Sequence, residues 1–409
     1  MNSTQDVLEA VKMRGSSSVK QLTVICLACT LMCSPVFGWG DQGHDAIWIV
    51  AQSRLTSVAK TRVDQILAGD KLDLTSTWMD KARQALKHHN GPLAHDAETA
   101  QFNTSFPSND LWHYVNLPLG ASSYAEGQQF TSENDIVHAL NLSLGCLEGT
   151  RTELSKRIAL RALVHLVGDI HQPLHCGEGY YDVSNLDPPR LLESPAEAFP
   201  QRKIEDRGAN QLFYGPGQFD ELHGFWDVDL VKVVAGNVSS AQALADKLSA
   251  NLGSVSADTP GDFHTWAESW ASESIVLAHG AYQGIQLGHC TLKNDGTIAK
   301  IQIVKPADYV QEQSPVVEAQ LSKAALRLAT LLNLVLDRPN PATSPTPTPV
   351  PQPSPTSAQW EYQMISAANA TDLLNQANIQ GTQGWELASV AVDTSRSDKY
   401  VGFLKRKKQ

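Results

Sequence analysis

The 409-residue chain is short of cysteine, of positive charge and of long apolar runs. Of its six cysteines, Cys26, Cys29 and Cys33 fall in a stretch that reads as a removable leader, which leaves Cys146, Cys176 and Cys290. Three thiols permit at most one disulfide, so a disulfide-built scaffold is excluded and folding rests on hydrophobic packing. A hydrophobic content of 42% is enough for a sizeable core. With 32 Lys and Arg against 43 Asp and Glu, the formal charge is -11. That balance argues against a protein that grips duplex nucleic acid with a broad basic face. It does not argue against attracting phosphate through bound divalent metal, because such ions are the largest local charges in a site.

No apolar run is long enough to span a bilayer. Leu22 to Cys33 comes nearest; Lys12, Arg14 and Lys20 precede it and Ser34-Pro35-Val36-Phe37-Gly38 follows. This is the pattern of a secretory signal over residues 1–38 with cleavage after Gly38, so a secreted or periplasmic protein without stable membrane insertion is expected. Asp6 and Glu9 are unusual in such a leader, which makes Met13 an alternative start.

Strand-like alternation is scarce from Trp39 to Asp337. Helical apolar spacing covers Ala46 to Leu67, Asn134 to Leu147, Leu154 to Val167, Ala241 to Leu252, Thr265 to Leu277 and Val317 to Leu336. A mainly α domain over 39–337 is expected, with Gly177 to Asn210 as a long surface loop. Residues 338–357 form a Pro/Thr/Ser-rich linker of extended, polyproline-like character. Residues 358–409 then read as a small α+β module: a strand at Trp360 to Ile365, a helix at Ala368 to Gln380, and strands at Trp385 to Ala391 and Tyr400 to Lys405, a β-α-β-β order.

The densest chemistry lies in His165-Leu-Val-Gly-Asp169-Ile-His171-Gln-Pro-Leu-His175, four metal-capable side chains in eleven residues. On a helix His165 and Asp169 share a face one turn apart, and Pro173 ends the helix and sends His175 elsewhere. Imidazole and carboxylate at that spacing suit zinc. Glu221-Leu-His223-Gly-Phe-Trp226-Asp227 repeats the His/Asp spacing. Trp39-Gly-Asp-Gln-Gly-His44 would open the mature chain, and a freed Trp39 α-amine, with a pKa near 8, can coordinate metal beside His44. Asp80 and Arg83 sit three apart on one helical face, where a surface ion pair is the alternative. His113 lies in the apolar run Trp112-His-Tyr-Val-Asn116, where by itself it would be a core residue. Cys176, next to His175, reads as a small buried hydrophobe.

Taken together, these residues resemble the type I nucleases, the zinc-dependent, single-strand-specific nucleases of the phospholipase C/nuclease superfamily. The resemblance runs from Trp39 to about Asn333 and has nine ligand positions in family order. It implies a helical fold with a trinuclear zinc site. One Zn²⁺ would be held by Asp80, His113, His165 and Asp169, and a second by Trp39, His44 and a bridging Asp169. The third would be held by His175, His223 and Asp227. It further implies phosphodiester hydrolysis of single-stranded DNA and RNA to 5′-phosphate products, with 3′-nucleotidase activity, by a monomer. Catalytic roles would fall on Asp80, Asp169 and Arg83, which would offset transition-state charge. Tyr114 would stack a base or pack in the core, and Asn116, where the family pattern carries Asp, would meet a base edge. Asp206 would orient a ligand histidine. Zinc phospholipase C and a non-catalytic, metal-stabilised secreted binding protein are the alternatives. The tail resembles a small bacterial domain of unknown function with a Trp385-Glu-Leu387 strand, and its partner is undetermined.

Overall fold

The computed structural model describes residues 38–217, 220–337, 360–392 and 400–407; the leader up to position 37 and the linker lie outside the described residues. The chain divides into two units at Arg338 and Pro339.

Helices dominate the first unit. In chain order they are α1 (Gly40–Gln52), α2 (Ser57–Leu67), α3 (Leu72–Ser76), α4 (Trp78–His88) and α5 (Ala97–Ser105). These are followed by α6 (Ile136–Glu148), α7 (Lys156–Ile170), α8 (Ala241–Asn251), α9 (Trp266–Tyr282) and α10 (Tyr309–Leu336). The fold is mainly helical, as the apolar spacing indicates.

α7 is the axis of this unit. Ser155 caps it by accepting from the Ile158 N–H, and every residue from Ile158 to Ile170 is buried. A helix covered on all sides must sit in a core, and α1, α4, α6, α9 and α10 all pack against it. Its polar residues therefore need partners. Arg161 is held by Asp70 at 2.7 Å and Glu98 at 2.8 Å, and its guanidinium lies 5.3 Å from the Trp78 ring. Arg157 also bonds Asp70. This network ties α7 to the start of α4.

Two helical expectations and one loop expectation shift. The single span from Ala46 to Leu67 is two helices, because Thr56 caps α2 by accepting from the Ala59 N–H. α10 starts at Tyr309, ahead of Val317, and contains Pro315. The buried Tyr309 hydroxyl anchors this extra turn by donating to the Ala281 carbonyl and accepting from the Trp226 indole. Gly177 to Asn210 is not all surface loop, since residues 177–181 are buried and Leu117–Pro118 pairs in parallel with Gly177–Glu178.

Strand pairing is also richer than the alternation suggests. β1 (Gln286–Leu292) and β2 (Ile298–Val304) form an antiparallel hairpin, with Leu212–Phe213 added in parallel to β2. Its turn, Asn294-Asp-Gly, has Gly296 at φ +82°, a local signal of the kind that marks hairpins. The three remaining cysteines are buried free thiols; the Cys176 thiol donates to the Ile170 carbonyl.

The second unit has the order β3 (Trp360–Ala367), α11 (Ala370–Gly381), β4 (Glu386–Val392) and β5 (Tyr400–Lys407). β5 is central and antiparallel to both neighbours. Ile365, Ala367, Leu373, Ala377 and Leu404 form its small core.

Candidate metal centre

The end of α7 presents His165 and Asp169 on one face, and segments distant in sequence converge on them. The Asp169 carboxylate lies 3.1 Å from His165 Nε2, 2.9 Å from His113 Nδ1 and 3.2 Å from His44 Nε2. Asp80, from the first turn of α4, stands 3.7 Å from both His113 Nδ1 and His165 Nε2. His44 stacks on His165 with ring centroids 4.0 Å apart. All five residues are at most 2% exposed.

A second group lies beyond His113. His175 and His223 bring their Nε2 atoms to 3.2 Å, and Asp227 Oδ2 is 3.3 Å from His223 Nε2. Pro173 opens the 3₁₀ turn Pro173–His175, which carries His175 away from α7. His223 and Asp227 sit at a one-turn helix that passes into the π-helical segment Phe225–Leu230; π turns are rare and recur at functional sites.

Backbone carbonyls set the imidazoles. His165 Nδ1 donates to the Ser76 carbonyl at 2.8 Å, His175 Nδ1 to the His113 carbonyl at 2.6 Å, and His223 Nδ1 to the Gly208 carbonyl at 2.5 Å. A carbonyl only accepts, so the proton sits on Nδ1 and the Nε2 lone pair is turned into the group. Ser76 ends α3, where helical carbonyls lack helical partners.

These residues fit divalent cations better than they fit one another. Both oxygens of Asp80, Oδ1 of Asp169, both ring nitrogens of His44 and Nε2 of His113 are buried without a hydrogen-bond partner. Leaving such atoms unsatisfied costs about 1–3 kcal/mol each, more when charged. One ligand atom from each member of His44, Asp80 and His165, of His113, His165 and Asp169, and of His175, His223 and Asp227 falls within 4.8 Å of the others. Nitrogen and carboxylate donors in such small sets match zinc.

The electrostatics are mixed: burial would lower His165, but the Asp169 and Asp80 charges raise it to about 9, so a cation would have to displace a proton there. Burial pushes Asp80 up to about 7. Burial would raise Asp169 too, but the His165 and His175 charges and hydrogen bonds from His113 and His165 hold it well below the ordinary carboxylate range. Burial lowers His44 to about 4 and His113 to about 3. His44 and His113 are therefore neutral, the form in which imidazole binds metal.

A cavity of about 360 Å³ opens onto both groups, lined by Asp80 and His113 from one and His175 and His223 from the other. Arg83, Tyr114 and Asn116 also line it. Tyr114 and Asn116 are half-buried, so neither is a closed core residue. Trp39 is fully buried and its indole donates to the Gly168 carbonyl at 2.9 Å. Gly38 passes so close to Asp169 that a Cβ there would fall 1.9 Å from Oδ1, so only glycine fits at that position without rearrangement.

His171 stays out of the group: its Nδ1 donates to the Val167 carbonyl and its Nε2 accepts from Arg327. Asp206 does not touch a ligand histidine. Its carboxylate accepts from the Tyr181 and Tyr282 hydroxyls and the Gly179 and Ala209 N–H groups. It thereby fixes the turn whose Gly208 carbonyl holds His223. Arg207, Gly208 and Ala209 all have φ between 60° and 66°; for the two non-glycines this is strained backbone of the kind found at functional sites. Gln172, within the His165–His175 run, went unremarked in the sequence: buried, it donates to Asp227 Oδ1 at 2.8 Å. Its position beside Pro173 was the available signal.

Among the described residues no helix is long and apolar enough to cross a membrane. Residues 39–337 match the S1/P1 nuclease family model. Similar proteins include nuclease S1 of Aspergillus oryzae, 23% identical over 336 residues that cover 78% of this chain and 99% of that one. Endonuclease 3 of Arabidopsis thaliana is 27% identical over 338 residues, 78% and 96% of the two chains. Endonuclease 2 of the same plant is 23% identical over 324 residues, 73% and 91%. The chain belongs to the S1/P1 nuclease family and is a nuclease hydrolase.

Proposed function

We propose that this nuclease is a zinc-dependent endonuclease that hydrolyses single-stranded DNA and RNA to 5′-phosphate products and also acts as a 3′-nucleotidase. The observation that carries this reading is the set of buried, unpartnered nitrogen and carboxylate atoms of His44, Asp80, His113 and Asp169, of which Asp80 and His113 line a cavity shared with Arg83. Three zinc ions would be held: by Asp80, His113, His165 and Asp169; by Trp39, His44 and Asp169; and by His175, His223 and Asp227. A peptide nitrogen is a poor ligand, so the Trp39 contribution requires cleavage after Gly38. The layout is a leader (1–38), a nuclease domain (39–337), a linker (338–357) and a small module (358–409) in a secreted or periplasmic monomer.

When bound, such ions acidify water to a pKa near 7 and polarise a phosphoryl oxygen. Asp169 holds the ends of both ligand sets in place. Arg83 places its guanidinium in the cavity that holds the phosphate and offsets charge growing on the phosphoryl oxygens. Tyr114 offers a ring face to a base, and Asn116 an amide to its edge. The test is hydrolysis of single-stranded DNA, a 3′-mononucleotide and phosphatidylcholine by zinc-loaded protein with a verified Trp39 N-terminus. Cleavage of the first two with 5′-phosphate ends on the DNA fragments is expected. Cleavage of the lipid alone would overturn the reading.

A further inference from the structure

The cavity volume of about 360 Å³ suits a ligand of mononucleotide size. A longer strand entering it must leave its next phosphate at the rim. Two cations lining the cavity, besides Arg83, are Lys87 and Arg207. Lys87 is paired with Asp110 at 2.8 Å. Arg207 differs: it is exposed, and among the described residues its guanidinium has no hydrogen bond or ion pair. In a chain of formal charge -11, such a cation at the mouth of the cavity is conspicuous.

Its placement is built in. Arg207 is the first of three consecutive left-handed residues, a conformation that a non-glycine residue holds only when its surroundings impose it. The buried Asp206 carboxylate imposes it here by accepting from the Gly179 and Ala209 N–H groups, and the next carbonyl, Gly208, orients His223. The turn that sets a ligand histidine therefore also sets Arg207. Arg83, Tyr114 and Arg207 line the same cavity.

We propose that Arg207 binds the phosphate that flanks the scissile one, forming a subsite that favours polynucleotides over substrates with a single phosphate. The proposal rests on the single-strand nuclease reading. A guanidinium suits it because its fork of donors pairs with two phosphate oxygens at once.

The test compares zinc-loaded wild type, Arg207→Asn and Arg207→Lys, each with a verified Trp39 N-terminus, on a dinucleoside monophosphate and a single-stranded pentanucleotide. Asparagine tolerates the left-handed backbone, so Arg207→Asn removes the charge without forcing the turn to move. Preference for the pentanucleotide should fall about 10-fold in Arg207→Asn, through KM more than kcat, and Arg207→Lys should recover part of it. The slope of log(kcat/KM) against log salt should become shallower by about 0.7, the value for one single-strand phosphate contact. A pentanucleotide with a neutral methylphosphonate at the flanking position should cost wild type the same factor and leave Arg207→Asn unaffected, a result independent of variant folding. Equal losses on both substrates, or an unchanged preference, would overturn the proposal. Wild type that cleaves neither substrate would instead sink the single-strand reading, and this subsite with it.

Discussion

The inner group of His44, Asp80, His113, His165 and Asp169 and the outer group of His175, His223 and Asp227 use the same residue types but are held in different ways. Four of the five inner residues sit on helices, all are buried, and several of their polar atoms have no protein partner. The outer residues stand on a 3₁₀ turn and at a one-turn helix running into a π-helical segment, and each is oriented by a loop or turn: His175 and His223 donate to the His113 and Gly208 carbonyls, and Asp227 accepts from the Gln172 amide. Rigid helices can hold charged ligands in fixed positions where only an ion satisfies them. Irregular backbone instead frees carbonyls to steer the outer imidazoles. The inner group should then fail all at once when a ligand is lost, and the outer group should fail by degrees when its orienting bonds are lost.

The largest effect should come from Asp169→Ala, which touches both inner ligand sets. We expect turnover to fall about 1,000-fold or more, with loss of inner zinc measured by elemental analysis. Zinc content equal to wild type would break the view of the inner group as one unit. Arg83→Ala should lower kcat about 100-fold with zinc content unchanged, because Arg83 lines the cavity without belonging to either group; parallel loss of metal would contradict that separation.

Gln172→Leu tests the graded behaviour of the outer group. Its shape is close to that of glutamine, but Asp227 loses its donor, so affinity for the outer zinc should drop about 10-fold to 100-fold while the inner zinc stays. Titration with a zinc chelator would show one ion leaving early; simultaneous loss of all ions would erase the distinction between the groups.

Asp70→Asn probes the frame behind the inner group and should affect stability more than chemistry. It breaks the buried pair with Arg161, at a cost of about 3 kcal/mol. Burial would raise the Asp70 pKa, yet hydrogen bonds and charge from Arg157 and Arg161 hold it below the ordinary value. A depressed carboxylate pKa stabilises the fold above the unfolded pKa of about 3.9, and that contribution is lost as pH falls through the lower folded value. Denaturant melts should show the variant weaker at pH 7 and less sensitive than wild type as pH falls below about 4. An unchanged pH dependence would mean that the pair does not act through Asp70.

Local pattern made the helical class legible, along with the β-α-β-β order of the tail and the His/Asp spacings at 165/169 and 223/227, because each depends on residues within a turn or two. The β1–β2 hairpin was missed although Asn294-Asp-Gly marks its turn, since its alternation is broken by Gly288 and Ala299. The break between α1 and α2 was missed because apolar spacing runs on across Thr56, and only the cap stops the helix.

What the sequence by itself determined is the inventory: which side chains can bind metal, that several of them lie on helices or beside a Pro stop, and that too few cysteines remain for a disulfide scaffold. The tertiary structure alone decided which of them meet. His171 lies two residues from Asp169 and turns to Arg327, while Asp80, 89 residues away, turns in. Backbone carbonyls at Ser76, His113 and Gly208 decided which imidazole nitrogen faces the group, and Asp206 acts on His223 only through the turn it pins. The physical reason is that a carbonyl exists at every residue, so its direction depends on backbone angles and long-range packing and leaves no mark in residue type.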